Sequence, residues 1–196
     1  MLRSDKQTPK RQKEIIDAAA AVFAAKGFHG ASTRDIAERL GIQQAGVYYY
    51  FKSKEEALVE VCRIGVEEFY DRARDIAAKA QSPADKITSA VAAHLLPFHH
   101  MPDYVEVFHN ERRYLSPKLR QPVTDLAQKY EAVLEKMFRE GLENQTFRAD
   151  LDCRVATLAL LGLCNSVLQW YRGGSKNNID DIARKYAQII VSGVTR

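Results

Sequence analysis

The chain has 196 residues, 46% of them hydrophobic and 28% charged, with a net charge of +4. That is the balance of a globular protein of one or two domains with a substantial core. No apolar run reaches the roughly 18 residues of a membrane span, and MLRSDKQTPKRQKE has no apolar stretch of the secretory kind. Three widely spaced cysteines in apolar settings (Cys62, Cys153, Cys164) exclude a disulfide framework and read as core residues of a reduced, cytoplasmic protein.

The positive excess is local. Residues 1–54 hold ten Lys/Arg against five Asp/Glu, a net +5, and the remainder is near neutral at −1. A solvated basic face and a footprint for a polyanion both fit that pattern.

In chain order, residues 1–9 read as disordered. A first helix spans about Lys10–Lys26, with Ile15, Ala19, Val22 and Phe23 on one face and Gly27 as its C-terminal stop. After the His29-Gly30-Ala31 turn, Ser32 caps a short second helix, about Thr33–Leu40. Asp35 completes a capping box there. Gly41 ends that helix and a third follows, about Gln43–Tyr50. Ser53 and Glu56 form another box, opening a fourth helix to about Lys79, too long for the small N-terminal unit alone.

Ser82-Pro83 starts a fifth helix, which Pro97–Pro102 breaks. Further helices follow over about Asp103–Tyr114, from Ser116-Pro117 to Glu140 with Pro122 delaying its start, Cys153–Tyr171 capped by Asp152, and Ile179–Ser192. Gly141–Asp150 is a turn region, and Gly173-Gly174 ends the eighth helix. The pattern predicts an all-α fold of about nine helices, with no strand and no repeat.

Residues 32–51 carry the chemistry. Two short helices joined by a Gly-containing turn form a helix-turn-helix. Gly41 suits a sharp turn with φ > 0, Ala37 lets the helices cross closely, and Ile36, Leu40, Ile42 and Val47 hold the crossing. The first helix supplies the missing face through Ile15 and Phe23.

The run Ser32-Thr33-Arg34-Asp35-Ile36-Ala37, Gly41-Ile42, Ala45-Gly46-Val47-Tyr48, Tyr50-Phe51 and Ser53-Lys54-Glu55 with Leu58 resembles the signature of the TetR/AcrR repressors. Ala19, Phe23 and Lys26-Gly27-Phe28 match that family's first helix. Two positions depart from its pattern. Gln43 stands where Ser is usual, leaving the third helix without a good N-cap. Gly46 stands where Ser, Thr or Ala is usual, a place where the backbone can approach a thymine methyl or a phosphate.

The resemblance implies a DNA-binding domain over residues 1–54 and a helical ligand-binding and dimerisation domain over 55–196. In a helix-turn-helix the second helix enters the major groove N-terminal end first. Gln43, Gln44, Ala45 and Tyr49 are therefore the base-contact candidates, and Thr33, Arg34, Tyr48, Tyr50 and Lys54 the phosphate-contact candidates. Phe51 and part of Tyr48 read as core. Lys10, Arg11 and Lys13 fit a solubilising tail and a phosphate contact equally well.

The family pairs its last two helices across a two-fold axis. Leu160, Leu163, Val167, Ile182, Tyr186, Ile189 and Ile190 are the interface candidates by that resemblance. The implied partners are an inverted-repeat DNA duplex, a second copy of the chain and a small apolar effector, with no membrane and no cofactor. Phe98, Tyr104, Phe108, Arg112, Arg113, Asn165 and Trp170 are the pocket candidates.

Glu111-Arg112-Arg113-Tyr114-Leu115, Phe147-Arg148-x-Asp150-Leu151-Asp152 and Trp170-Tyr171-Arg172-x-Gly174 further resemble a subgroup that answers to acyl-CoA thioesters in fatty-acid or sterol degradation. Two alternatives belong to other classes. One is a metal-assisted hydrolase using the His94–His109 region, whose spacing matches no zinc pattern. The other is a sequence-independent DNA-binding protein.

Overall fold

The computed structural model describes residues 9–171 and 178–195. Residues 1–8 of the expected disordered leader, the Arg172-x-Gly174 motif and the Gly173-Gly174 stop lie outside them, while Pro9 begins the first helix. Among the described residues the regular structure is helical, apart from one isolated bridge between Phe147 and Thr195. The helices are α1 (Pro9–Gly30), α2 (Thr33–Arg39), α3 (Gln44–Tyr48), α4 (Lys54–Ala77), α5 (Pro83–Leu95), α6 (Pro97–His100), α7 (Pro102–Asn110), α8 (Pro117–Glu143), α9 (Cys153–Asn165), α10 (Val167–Trp170) and α11 (Ile179–Val194). A 3₁₀ turn, Arg112–Tyr114, lies between α7 and α8.

The expected punctuation recurs at specific atoms. Ser32 accepts from the Asp35 N–H while the Asp35 carboxylate accepts from the Ser32 N–H, so the first box forms. Ser53 caps Glu56, and the Glu56 carboxylate reaches back to the Lys52 N–H rather than to Ser53 itself. Gly27 and Gly41 both take positive φ, at 66° and 63°, and α1 resumes for one more turn after Gly27.

Three boundaries differ from expectation. The Pro97–Pro102 break holds a single helical turn, α6, because Pro97 is tolerated at a helix start. Pro122 lies inside α8 rather than delaying it. The carbonyl its ring displaces belongs to Lys118, which is exposed. The eighth expected helix is broken at Ser166 into α9 and α10. The Ser166 hydroxyl donates to the Leu163 carbonyl at 2.7 Å, competing with the helix ladder.

The described chain forms two compact units. One comprises the residues up to Val66 with Asp103–Thr124, and the other Glu67–Pro102 with Asp125 onward. The boundary falls inside α4 and inside α8.

In the first unit Ile15, Phe23, Ile36, Val47, Leu58 and Val61 are buried. α4 meets α7 at Gly65, where a Cβ would lie 3.1 Å from the Tyr104 carbonyl oxygen. Two bonds fasten α7 and the residue after it to α1: the Tyr104 hydroxyl donates to Asp17 at 2.6 Å, and the Phe28 N–H donates to Glu111 at 2.6 Å.

In the second unit α5 packs along α11 and α9. Ile87, Leu95, Leu134, Met137, Phe138 and Leu160 are buried there, each contributing on the order of 1.5–3 kcal/mol by leaving water. Lys86 of α5 pairs with Glu140 of α8 at 2.8 Å. Cys153–Trp170 is, contrary to expectation, long and apolar enough to cross a membrane by length and composition. Its Leu160, Cys164 and Val167 are nonetheless buried in this unit, as in a core helix.

Candidate DNA-binding surface and effector core

α2 and α3 cross tightly because of what lies between them. After Gly41 turns the chain, the Ile42 N–H donates to the Ala37 carbonyl at 3.0 Å, and Val47, Ile36 and Ala37 close the crossing. Gly46 belongs to this packing: a Cβ there would meet Ile42 Cδ1 at 3.2 Å. Its smallness serves the crossing, a reason internal to the fold that stands beside the expected approach to DNA.

Gln43 has extended backbone and its side chain makes no cap hydrogen bond. With Val47 inward, Gln43, Gln44, Ala45, Tyr48 and Tyr49 are exposed, the two tyrosines by 49% and 54%. Phe51 is buried, Tyr50 is half-buried, and the Tyr49 and Tyr50 rings meet edge to face at 5.2 Å. Arg34 is exposed beside them, paired with exposed Glu38 at 2.9 Å.

Two expected phosphate contacts are engaged otherwise. Thr33 is buried, and its hydroxyl accepts from Gln44 Nε2 at 2.7 Å and donates to the Tyr48 hydroxyl at 3.3 Å. It positions two surface side chains instead of reaching out. The Lys54 ammonium donates to the Phe28 and Ala31 carbonyls at 2.7 and 2.8 Å and lies over the Phe28 ring. It completes the end of α1 rather than projecting from the start of α4.

Asp35 is tied to Lys26 at 2.5 Å. The Lys26 ammonium first, then the Ser32 hydroxyl and N–H, hold its carboxyl down to about 2.

The C-terminal helices sort into inner and outer faces. Leu160, Val167 and Ile182 are buried within the second unit, so they are core residues and not interface residues. Leu163, Tyr186 and Ile190 are half-buried. Ile189 is exposed by 61%, as are Val155 by 60% and Leu158. The exposed side of α9 thus runs Val155, Leu158, Ala159, Gly162, and that of α11 runs Ile189, Ser192, Gly193. Among the described residues no atom lies within 4 Å of a Cβ built on Gly162 or Gly193. Sequence reasoning missed Val155 and Leu158 as surface residues. Their i, i+3, i+4, i+7 spacing with Ala159 and Gly162 was the available signal.

The pocket candidates fall in different places. Tyr104 is bonded to Asp17, Arg112 stacks over Phe108 at 4.5 Å, and exposed Arg113 over Tyr114 at 4.9 Å, all in the first unit. Trp170 is an exposed surface ring beside Tyr171, not a wall of the core.

Only Phe98 and Asn165 flank one buried polar cluster, in the second unit, whose centre is His94. The His94 ring accepts the Tyr130 hydroxyl at Nδ1 (2.7 Å) and donates from Nε2 to Asn165 Oδ1 (3.0 Å), the tautomer that satisfies both partners. Phe69, His94 and Tyr130 stack with centroids 4.7–5.9 Å apart, and Phe98 lies 5.8 Å from His94. Burial pushes His94 down to about 4, so it is neutral, and raises the Tyr130 hydroxyl.

The other histidines do not extend this cluster. His100 bonds the Leu96 carbonyl and lies 3.4 Å from Glu68. No group of three His, Cys, Asp or Glu among the described residues has the arrangement of a metal site.

Residues 15–61 match the family model of bacterial regulatory proteins of the tetR family, and residues 80–194 match the tetracyclin repressor-like C-terminal domain. The transcriptional repressor KstR2 of Mycolicibacterium smegmatis is 28% identical over 97% of this chain and 93% of its own. The solved structure of the ketosteroid regulator KstR2 of Mycobacterium tuberculosis superposes with a TM-score of 0.87 at 26% identity, over 99% of this chain and 100% of its own. The fatty acid metabolism regulator protein of Bacillus subtilis is 26% identical over 96% of this chain and 98% of its own. AibR, solved with isovaleryl coenzyme A and operator DNA, shares the fold with a TM-score of 0.83 at 20% identity, over 91% of this chain and 97% of its own.

Proposed function

The chain belongs to the TetR family of bacterial transcriptional regulators, and we propose that it is a cytoplasmic, non-enzymatic repressor, released from a palindromic operator by a small apolar effector, an acyl-CoA thioester. One observation carries the DNA half: α3 turns Val47 inward and presents Gln43, Ala45, Tyr48 and Tyr49 together on the outside, with Arg34 beside them. Residues 1–54 form the reading head, whose net +5 supplies the sequence-independent attraction to phosphate. Gln43, Gln44, Ala45 and Tyr49 meet base edges, and Arg34, Tyr48 and Tyr50 meet the backbone. Gln44 does so while anchored through its amide nitrogen to Thr33.

The exposed sides of α9 and α11 pair with those of a second copy. The resulting dimer sets two α3 helices about one duplex turn, roughly 34–36 Å, apart. An effector then acts by binding one spacing of the heads better than the other. KstR2 is named a ketosteroid transcriptional regulator and the Bacillus protein a fatty acid metabolism regulator, and AibR was solved with isovaleryl coenzyme A. Those names and that ligand support the thioester reading.

The test is a footprint on the DNA flanking the gene, followed by anisotropy with the protected duplex. A single inverted repeat, bound tightly and released by octanoyl-CoA, is expected. Binding with equal affinity to scrambled DNA of the same length would replace this reading with sequence-independent binding.

A further inference from the structure

A polar cluster in an aromatic core is costly unless every group is paired, and this one is paired except at one atom. His94 uses both ring nitrogens, and the Tyr130 hydroxyl donates to one of them. Asn165 accepts from His94 through Oδ1, while its Nδ2 donates to no protein atom among the described residues. His94 and Tyr130 are buried whereas Asn165 is half-buried, so the amide is the least buried of the three groups.

Both neighbouring helices break at this point. Asn165 is the last residue of α9 before Ser166, and α5 ends at Leu95, one residue after His94, with Phe98 of α6 following against the His94 ring. Among the described residues the two N–H groups of Asn165 Nδ2 are thus unused at the edge of an otherwise satisfied aromatic core.

We propose that Asn165 Nδ2 is the group that recognises a neutral carbonyl oxygen on the effector, with His94 and Tyr130 as positioning residues that lock the amide in this orientation. This rests on the effector reading above and names the chemistry of its site. A carbonyl supplies the missing acceptor. A hydrocarbon body alone would bury the amide N–H unpaired, and sites built to donate to an oxygen discriminate strongly against analogues lacking it. An ionised carboxylate is disfavoured because the cluster carries no charge to offset its desolvation, His94 being neutral. The His94–Asn165 bond fixes which end of the amide faces outward, since only Oδ1 accepts the Nε2 proton.

The experiment is titration calorimetry of the full chain with octanoyl-CoA and with S-octyl-CoA, the thioether in which CH₂ replaces the carbonyl. The wild type is expected to bind the thioester at least about tenfold more tightly, in line with the loss of one buried hydrogen bond. Asn165→Asp keeps an acceptor for His94 but removes the donor, and Asn165→Leu removes both. In each the ratio should shrink to within about threefold while S-octyl-CoA binding persists. Asn165→Asp carries the test if Asn165→Leu does not fold. Equal wild-type affinities, or a ratio unchanged by Asn165→Asp, overturn the inference. Operator release by both compounds would then leave the proposed function standing. If neither compound binds, the thioester reading fails and this inference fails with it, while the footprint judges the repressor assignment separately.

Discussion

Gly141 sits where an added Cβ would lie 2.2 Å from atoms of the fully buried Phe147 ring. Gly141→Ala should therefore lower unfolding stability by about 1–3 kcal/mol, as overpacking of a core does, measured by urea denaturation. A few residues on, Gln145 holds φ at 62°, a conformation that costs a non-glycine residue about 1 kcal/mol. Gln145→Gly should recover part of that, set against the greater freedom of the unfolded chain.

His94 makes a prediction of the opposite kind, about proton balance. Its folded value of about 4 lies below the ordinary 6.5. Its neutral burial is therefore without penalty above pH 6.5, and stability is lost as pH falls from there toward 4, because the unfolded chain takes up a proton the folded chain refuses. The loss is of order 3 kcal/mol at most. His94→Gln should flatten that stretch of the stability–pH curve, read by thermal melts in matched buffers. Asp35 acts only below this window: its contribution is present above 3.8 and fades as pH falls through about 2.

At the scale of elements, α3 is only five residues long and starts without a side-chain cap. Its order comes from neighbours: Val47 in the core and the Thr33 hydroxyl holding Gln44 and Tyr48. Thr33→Val should keep the fold yet weaken operator affinity severalfold by loosening those two side chains. Tyr49→Ala and Arg34→Ala should each cost about 1–3 kcal/mol of operator binding, with circular dichroism unchanged. The arginine variant should also flatten the salt dependence of binding by about one unit of slope. Anisotropy across a salt series checks all three. Wild-type affinity in Tyr49→Ala would remove α3 from the groove.

For the whole molecule, the exposed stripe of α9 and α11 is the surface that the proposed dimer would use. Leu158→Lys places a charge in the middle of the proposed pairing face. It should convert a dimer to a monomer in light scattering, with loss of operator binding while the subunit stays folded. A wild-type chain that scatters as a monomer at micromolar concentration would overturn the dimer.

Much of this was legible in the residues alone. The caps at Ser32 and Ser53, the stops at Gly27 and Gly41, the turn between two short helices and an outward Tyr49 follow from local rules, whereas Tyr48, expected partly in the core, is exposed. Those rules act over three or four residues, and the chain carries them in order. Sequence therefore determined the helical class, the helix-turn-helix and the face it offers. The tertiary structure decided what depends on distant partners. It placed Leu160, Val167 and Ile182 inside and Val155 and Leu158 outside, because a helix that is apolar all round has no local signal for its buried side. It turned Lys54 onto the end of α1 and Thr33 onto Gln44. It also joined His94, Tyr130 and Asn165 across three helices. Sequence spacing of 36 and 71 residues between hydrogen-bonded atoms is set by packing, and no periodicity along the chain encodes it.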